Sequence, residues 1–375
     1  MTHLLNLSRR LARFRAPLIA LFAFSFAACD SADQLTNTTA EEGAPTAAEP
    51  AVATDAADLT VADTLGATDL SDPTGGQPIY NTEDDPIEED DTEMTFAAGA
   101  SAAGAAEGMS LLSGYRGGIP LGVTQMPREL YGRYTGGLSN PSPRVLMSWL
   151  QAASRSGTRV MLVFVGNERN FQNRNRSFNF TMWKAMVNRY RGLNLTPYIN
   201  DGTIIGHRMI DEPHDPANWG GSLVSRPQLD AMAKYSKSIW PNMPTIVRSW
   251  PRYLKGYRYS YLDGAWAQYA QRFGSVSAFL GANVRDAKAS GLSLTVGLNQ
   301  IAGVTRGGLG GYYTGKQAFT ASQLRSVGAA LLSDSYPCAF LNWKYDARYM
   351  GRTDIKAALA YLASKARIKP FKSCR

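Results

Sequence analysis

The sequence predicts an α/β fold, a (β/α)8 or TIM barrel, carried behind a long acidic segment. Three observations point there. Charge is divided along the 375 residues: positions 30–108 hold 19 Asp or Glu and no Lys or Arg, whereas positions 109–375 hold 35 basic and 12 acidic side chains, a local net charge of +23 inside an overall +8. Over the basic part, short apolar runs alternate with helical patterns, as in a parallel sheet wrapped by helices. The roughly 265 residues from Leu111 onward match one barrel better than two domains.

In chain order, residues 1–29 read as an export signal. Arg9, Arg10, Arg13 and Arg15 precede a thirteen-residue, mainly apolar run from Ala16 to Ala28. That run is too short to span a bilayer, which takes about 20 apolar residues. It ends Phe26-Ala27-Ala28-Cys29, which resembles a bacterial lipoprotein signal, and the resemblance implies lipidation of Cys29 as the mature N-terminus. An ordinary cleaved signal with an incidental Cys29 is the alternative. The expected location is the exported bacterial envelope, either membrane-anchored as a lipoprotein or secreted.

Residues 30–110 are rich in Ala, Thr, Asp, Glu, Gly and Pro. Such a composition buries too little apolar surface to offset the entropy of ordering a backbone, so a disordered acidic linker is expected. Its like charges favour an extended spacer between anchor and folded domain.

Residues 111–375 form the expected barrel domain. Apolar runs predict strands at Ile119–Thr124, Val160–Val165, Thr203–Ile210, Thr245–Val247, Leu262–Trp266, Leu292–Leu298 and Ala339–Trp343. Helices are expected at Pro143–Ser154, Phe180–Arg191, Pro227–Trp240, Val276–Ser290, Ala321–Leu332 and Asp354–Ala366. That is one strand short of eight. The missing strand is expected between Val165 and Thr203, at Phe171–Phe180 or Leu195–Ile199; an open doubly wound sheet is the second arrangement.

Barrel chemistry sits on the loops that follow the strands. Those strand ends carry Gln125, Asn167-Glu168, Asp211-Glu212-Pro213-His214-Asp215, Arg248-Ser249-Trp250, Trp266-Ala267-Gln268, Asn299-Gln300 and Trp343-Lys344-Tyr345-Asp346. Aromatic rings stack on the C–H faces of sugars, and hydroxyls need several oriented polar partners. Gln125, Asp211, His214, Arg248, Trp250, Trp266, Gln268, Asn299 and Trp343 are therefore candidate substrate-binding residues.

The segment Gly206-His207-Arg208-Met209-Ile210-Asp211-Glu212-Pro213 resembles the fourth-strand end of the (β/α)8-barrel glycoside hydrolases, in which a Glu followed by Pro is the general acid/base. The resemblance extends over Ile119 to Ala366 and makes Thr203–Ile210 strand four. It implies that Glu212 is the catalytic acid. It also implies a nucleophilic Glu at the end of strand seven, where this chain has Asn299-Gln300. With few acids in the basic part, the second carboxylate is expected to be Asp263 first and Asp346 second. Two carboxyls should flank the bond to be broken, and their separation sets the stereochemistry.

No metal site or cofactor is expected: the spacing of His214 with Asp211, Glu212 and Asp215 matches no metal motif, and the Gly307–Gly311 run does not lead from a strand into a helix. Cys338 and Cys374 are expected either to form a disulfide or to leave Cys338 as a buried thiol. Two functions follow. One is a glycoside hydrolase acting on an oligo- or polysaccharide by carboxylate acid/base catalysis, and the other a non-catalytic carbohydrate-binding envelope lipoprotein on the same barrel. The basic body favours anionic glycans or an anionic envelope surface. A nucleic-acid partner is not expected, because the basic residues are scattered and the chain is exported. Mass spectrometry of the exported protein should find a lipidated Cys29 at the N-terminus; an unmodified N-terminus elsewhere would remove the anchor.

Overall fold

The computed structural model describes residues 117–375. The export signal, Cys29 and the acidic linker lie outside them. The described residues form a TIM barrel. Its eight parallel strands are β1 (Leu121–Val123), β2 (Gly136–Ser139), β3 (Arg159–Leu162), β4 (Ile204–Asp211), β5 (Thr245–Arg248), β6 (Gly264–Tyr269), β7 (Ser293–Leu298) and, last, β10 (Ala339–Asn342). The intervening β8 (Leu309–Tyr313) and β9 (Lys316–Ala318) form a separate antiparallel hairpin.

Neighbouring barrel strands pair in the order β1, β10, β7, β6, β5, β4, β3, β2. The ring is completed between β1 and β2 without a regular ladder. There Met126 N–H donates to Leu138 O at 2.9 Å, Leu121 N–H donates to the Thr135 hydroxyl at 3.0 Å, and that hydroxyl donates to Ile119 O at 3.2 Å. The backbones come so close that a Cβ on Gly122 would lie 1.7 Å from Gly136 O. Between β7 and β10 the same holds for Gly297, whose Cβ would lie 1.8 Å from Leu341 O. Any side chain at either position would push two strands apart.

Thr203–Ile210 falls in β4, the fourth barrel strand, as the resemblance of its Asp-Glu-Pro end implied. The missing strand is elsewhere than expected. It is β2, Gly-Gly-Leu-Ser, ahead of the first helix, while Phe171–Phe180 supplies a short 3-10 turn and the start of a helix and Leu195–Ile199 enters a short helix. Two glycines gave β2 no apolar run to read, yet all four of its residues are buried. The neighbouring segment demands small residues at that seam, since a Cβ on Gly136 would lie 2.4 Å from Pro120 Cβ and one on Gly137 2.4 Å from the Met126 methyl.

Helices α1 (Pro143–Ser156), α2 (Phe180–Asn188), α3 (Thr196–Asn200), α4 (Arg226–Ile239), α5 (Pro251–Leu254), α6 (Val276–Ala289), α7 (Ala321–Leu331), α8 (Ala347–Gly351) and α9 (Thr353–Arg367) surround the sheet. In α1, Leu146, Leu150 and Ala153 recur at helical spacing and are the buried face. Reciprocal capping by Thr320 and Gln323 starts α7, and Ser225 with Gln228 does the same for α4. His207 is a core residue: its Nδ1 lies 3.0 Å from the Ser236 hydroxyl on α4, between the Phe164 and Trp183 rings. None of the described helices is long and apolar enough to cross a membrane.

Beyond α9 the C-terminal tail crosses the N-terminal end of the barrel. Phe371 stacks under the Arg159 guanidinium at the start of β3, and Ser293 at the start of β7 donates to Cys374 O. Cys374 is joined to Cys338, just before β10, by a disulfide with Cα atoms 5.3 Å apart at a sequence separation of 36. Cross-linking a loop of that length removes unfolded-state entropy worth ~2–4 kcal/mol. Cys374→Ser should therefore lower the unfolding free energy by about that amount, read from urea midpoints, with little change in ligand binding at the opposite end.

Candidate functional site

At the C-terminal end of the strands an open cleft of about 870 Å³ is bounded by the strand-end loops and the β8–β9 hairpin. Of the residues expected from sequence, Gln125, Asp211, Arg248, Trp266, Trp343 and Asp346 line it. Glu212, His214, Trp250, Gln268 and Asn299 line a smaller adjoining pocket, which shares Arg248 and Trp266 with the cleft. Asp263 joins neither. It immediately precedes β6, at the opposite end of the barrel, where its carboxylate accepts from Lys237 Nζ at 2.7 Å and from Thr245 N–H at 2.8 Å. That is a structural ion pair between α4 and the start of two strands, so Asp263 is no partner for Glu212, contrary to the sequence expectation.

The centre of the site is a buried charge cluster. Arg248, the last residue of β5, pairs through Nε with Asp211, places Nη2 3.2 Å from Glu212 Oε1 and donates from Nη1 to Gln268 Oε1 at 2.5 Å. Arg208 of β4 reaches Asp211 Oδ2 at 2.8 Å and Glu168 Oε1 at 3.6 Å. One strand thus presents Arg208 and Asp211 toward the cleft, while the next supplies the second guanidinium.

Glu212 is fixed by the loop that follows it. Its φ of +41° is in the left-handed region, unusual for a residue with a side chain. Asp215 caps the 3-10 turn Pro216–Trp219 by accepting from Ala217 N–H at 3.0 Å. From that turn Asn218 Nδ2 donates to Glu212 Oε2 at 3.2 Å and Trp219 Nε1 donates to Glu212 O at 3.0 Å. Pro213 and Pro216 stiffen the intervening backbone.

Electrostatics follow from this packing. Three carboxyls, Glu168, Asp211 and Glu212, share two guanidiniums in a poorly solvated place, so one negative charge is in excess. Burial pushes Glu212 up to about 7 despite the attraction of Arg248, with Asp211 and Asp215 adding repulsion. Burial likewise pushes Glu168 up to about 7 against the pull of Arg208. Asp211 goes the other way: burial would raise it, but Arg248 and Arg208 together hold it below the ordinary carboxylate range. Asp211 is therefore the carboxyl that stays ionised, while Glu168 and Glu212 each exchange a proton near neutral pH.

His214 is buried, its Nδ1 3.0 Å from the Ser249 hydroxyl, and burial together with Arg248 lowers it to about 3, so it is neutral. Asp346 caps α8 by accepting from Tyr349 N–H at 2.8 Å while lining the cleft. The aromatic wall is larger than the tryptophans alone: Tyr313 of the hairpin meets Trp343 edge-on at 5.3 Å, and Tyr312 meets Tyr349 at 5.3 Å. Trp250 is turned into the small pocket against Phe273. Glu168 and the hairpin tyrosines are the residues that sequence reasoning did not select. Glu168 was visible as an acid just past a strand; the hairpin had no signal, since its strands run outside the barrel.

No sequence-family model matches the chain, and no curated protein matches it. Solved structures that match include TIM-barrel glycoside hydrolases. A β-glucuronidase from an uncultured Clostridium superimposes with a TM-score of 0.44 at 10% identity over 66% of this chain and 50% of its own. Xylanase XynB from Paenibacillus barcinonensis gives 0.43 at 11% identity over 65% and 89%, and a GH18 chitinase from Pseudoalteromonas aurantia 0.39 at 11% over 64% and 99%. This chain thus spans about half the length of that β-glucuronidase. At such identities the likeness is one of fold.

The raised pKa of Glu168 has a stability consequence of definite sign. A carboxyl whose folded pKa lies above its unfolded value holds a proton that the unfolded chain releases, so stability falls as pH rises from about 4.5 to about 7. Glu168→Gln removes that slope. Its melting temperature should match wild type near pH 4 and exceed it by pH 8, and an unchanged difference across this range would mean that Glu168 has the same pKa in the folded and unfolded chain.

Proposed function

We propose that the barrel is a glycoside hydrolase acting on an oligo- or polysaccharide, with Glu212 as proton donor. The observation that carries this reading is the carboxyl of Glu212. It stands at the C-terminal end of the fourth strand, shares its pocket wall with an aromatic cleft, and has its pKa pushed up to about 7 by burial and by the neighbouring carboxylates, so that it can carry a transferable proton at neutral pH. A sugar stacked against Trp343 and Tyr313 would offer its glycosidic oxygen to that proton across the shared border formed by Arg248 and the buried Trp266. Asp346 takes the role of base, accepting a proton from the water that attacks the anomeric carbon. Asp211 is unsuited to it, because two guanidiniums stabilise its negative charge and reduce its basicity. With Asn299 and Gln300 after the seventh strand, no carboxylate stands ready for a covalent intermediate, so the product anomer is inverted. In the organism, the enzyme would work at the exported envelope, tethered through Cys29.

A second reading, a carbohydrate-binding protein without turnover, draws on that same pair of amides. Removing a general acid commonly costs ~100- to 10,000-fold in rate. Glu212→Gln should lose turnover on that scale with glycan affinity nearly intact, and NMR of fresh product should show inversion. Full activity in Glu212→Gln would refute the assignment, while a wild type that binds glycans and cleaves none across a broad panel would favour the binding protein.

A further inference from the structure

The five charged side chains on the floor of the cleft form a linear chain in which acids and bases alternate. Glu168, after β3, stands at one end, 3.6 Å from Arg208 of β4. Arg208 reaches Asp211 at 2.8 Å, Asp211 pairs in turn with Arg248 of β5, and Arg248 ends the chain at Glu212, 3.2 Å away. The central Asp211 engages both guanidiniums, so each terminal glutamate has only a share in one. The two ends differ in their surroundings. Glu212 Oε2 accepts from Asn218 Nδ2, whereas Glu168 Oε1 is buried and accepts no hydrogen bond from the described residues. Arg169 and Arg176 share a small pocket with Glu168, and Asp215 and the neutral His214 stand near Glu212. The charges that act most on Glu168 are Arg208, Asp211 and Arg248, and Arg248 is in turn stabilised by Glu212 and by Glu168, so it senses both ends.

With all three acids ionised the chain carries one negative charge in excess, and a single proton brings it to neutrality. We infer that this proton is shared between the ends of the chain, and that Glu168 is a positioning residue whose negative charge keeps the proton on Glu212. An ionised Glu168 divides Arg208 between itself and Asp211, so Asp211 draws more on Arg248 and Glu212 is left with less positive charge. Without the Glu168 charge, Arg208 serves Asp211 alone and Arg248 is released to favour an ionised Glu212. Burial pushes both glutamates up to about 7 while Asp211 stays below the ordinary range, in keeping with one proton distributed over two ends. The inference deepens the reading of Glu212 as proton donor and rests on it for its part in catalysis. When Glu212 gives its proton to a leaving sugar oxygen, uptake of one proton from solvent by Glu168, which lines the open cleft, returns the floor to neutrality.

The test is a pH titration of full-length protein carrying 13C at its glutamate carboxyls, followed by NMR, with the two signals assigned by their loss in E168Q and E212Q. In E168Q the midpoint of Glu212 should fall by about one pH unit or more, the scale on which two sites titrate as a pair. Linkage then requires E212Q to lower the midpoint of Glu168 by the same amount. E168D keeps the charge and should hold Glu212 closer to wild type. E129Q removes an exposed acid outside the cluster and should move neither midpoint. On a glycan that the protein cleaves, the alkaline limb of the kcat/KM profile should move to lower pH in E168Q and return in E168D. Midpoints that stay in place in both E168Q and E212Q, or that move equally in E129Q, overturn the shared proton and leave the hydrolase reading standing. Reciprocal shifts in a wild type that cleaves no glycan overturn the hydrolase reading and leave the shared proton in place.

Discussion

The site depends on Arg248. Its guanidinium, at the end of β5, touches Asp211 and Glu212 at the end of β4 and Gln268 of β6, so it joins three consecutive strands exactly where their backbones stop pairing. Burial disfavours its charge, but the adjoining carboxylates outweigh that and raise its pKa, so it stays cationic. Removing one partner of such a buried pair would leave an uncompensated charge, which typically costs ~3–5 kcal/mol. The cluster is therefore a constraint as much as a source of stability: it fixes strand ends that would otherwise be loops.

That constraint also sets the proton inventory. A third carboxyl added to two guanidiniums and a network already balanced cannot ionise cheaply in a poorly solvated place, so Glu168 and Glu212 rise toward neutrality while Asp211 stays ionised. Burial is the main reason that Glu212 holds a proton, and repulsion from Asp211 and Asp215 adds to it against the pull of Arg248. The Asp215-capped turn then holds its carboxyl through Asn218 and its backbone through Trp219. Proton affinity comes from the cluster and orientation from the loop, two supports that arise from different parts of the chain.

The two ends of the barrel are stabilised by different means. The N-terminal end is tied by the C-terminal tail, with the Cys338–Cys374 disulfide, the Arg159–Phe371 stack and the Asp263–Lys237 pair bridging successive elements. The C-terminal end carries the buried charges and the open cleft. Rigidity below permits polar, partly strained residues above, such as Glu212 with its left-handed φ.

Local periodicity and turn residues next to apolar runs made the alternation of strands and helices and the polar, aromatic character of the strand ends legible in the sequence, while the numbering of Thr203–Ile210 as strand four was implied by the resemblance of its Asp-Glu-Pro end. It did not reveal β2, whose Gly-Gly pair is dictated by close packing and not by any apolar pattern: a Cβ on Gly136 would lie 2.4 Å from Pro120 Cβ, and one on Gly137 2.4 Å from the Met126 methyl. Nor did it separate Asp263 from the site. An acid beside an apolar run looks alike at either end of a strand, and only the direction of the strand and the reach of Lys237 from α4 assign it to the far end. The pairing of Glu168, Asp211 and Glu212 with two arginines brings together residues as far as 80 positions apart, which no spacing rule encodes. Tertiary structure decided which carboxyls are buried together, and burial is what decides which of them keeps a proton.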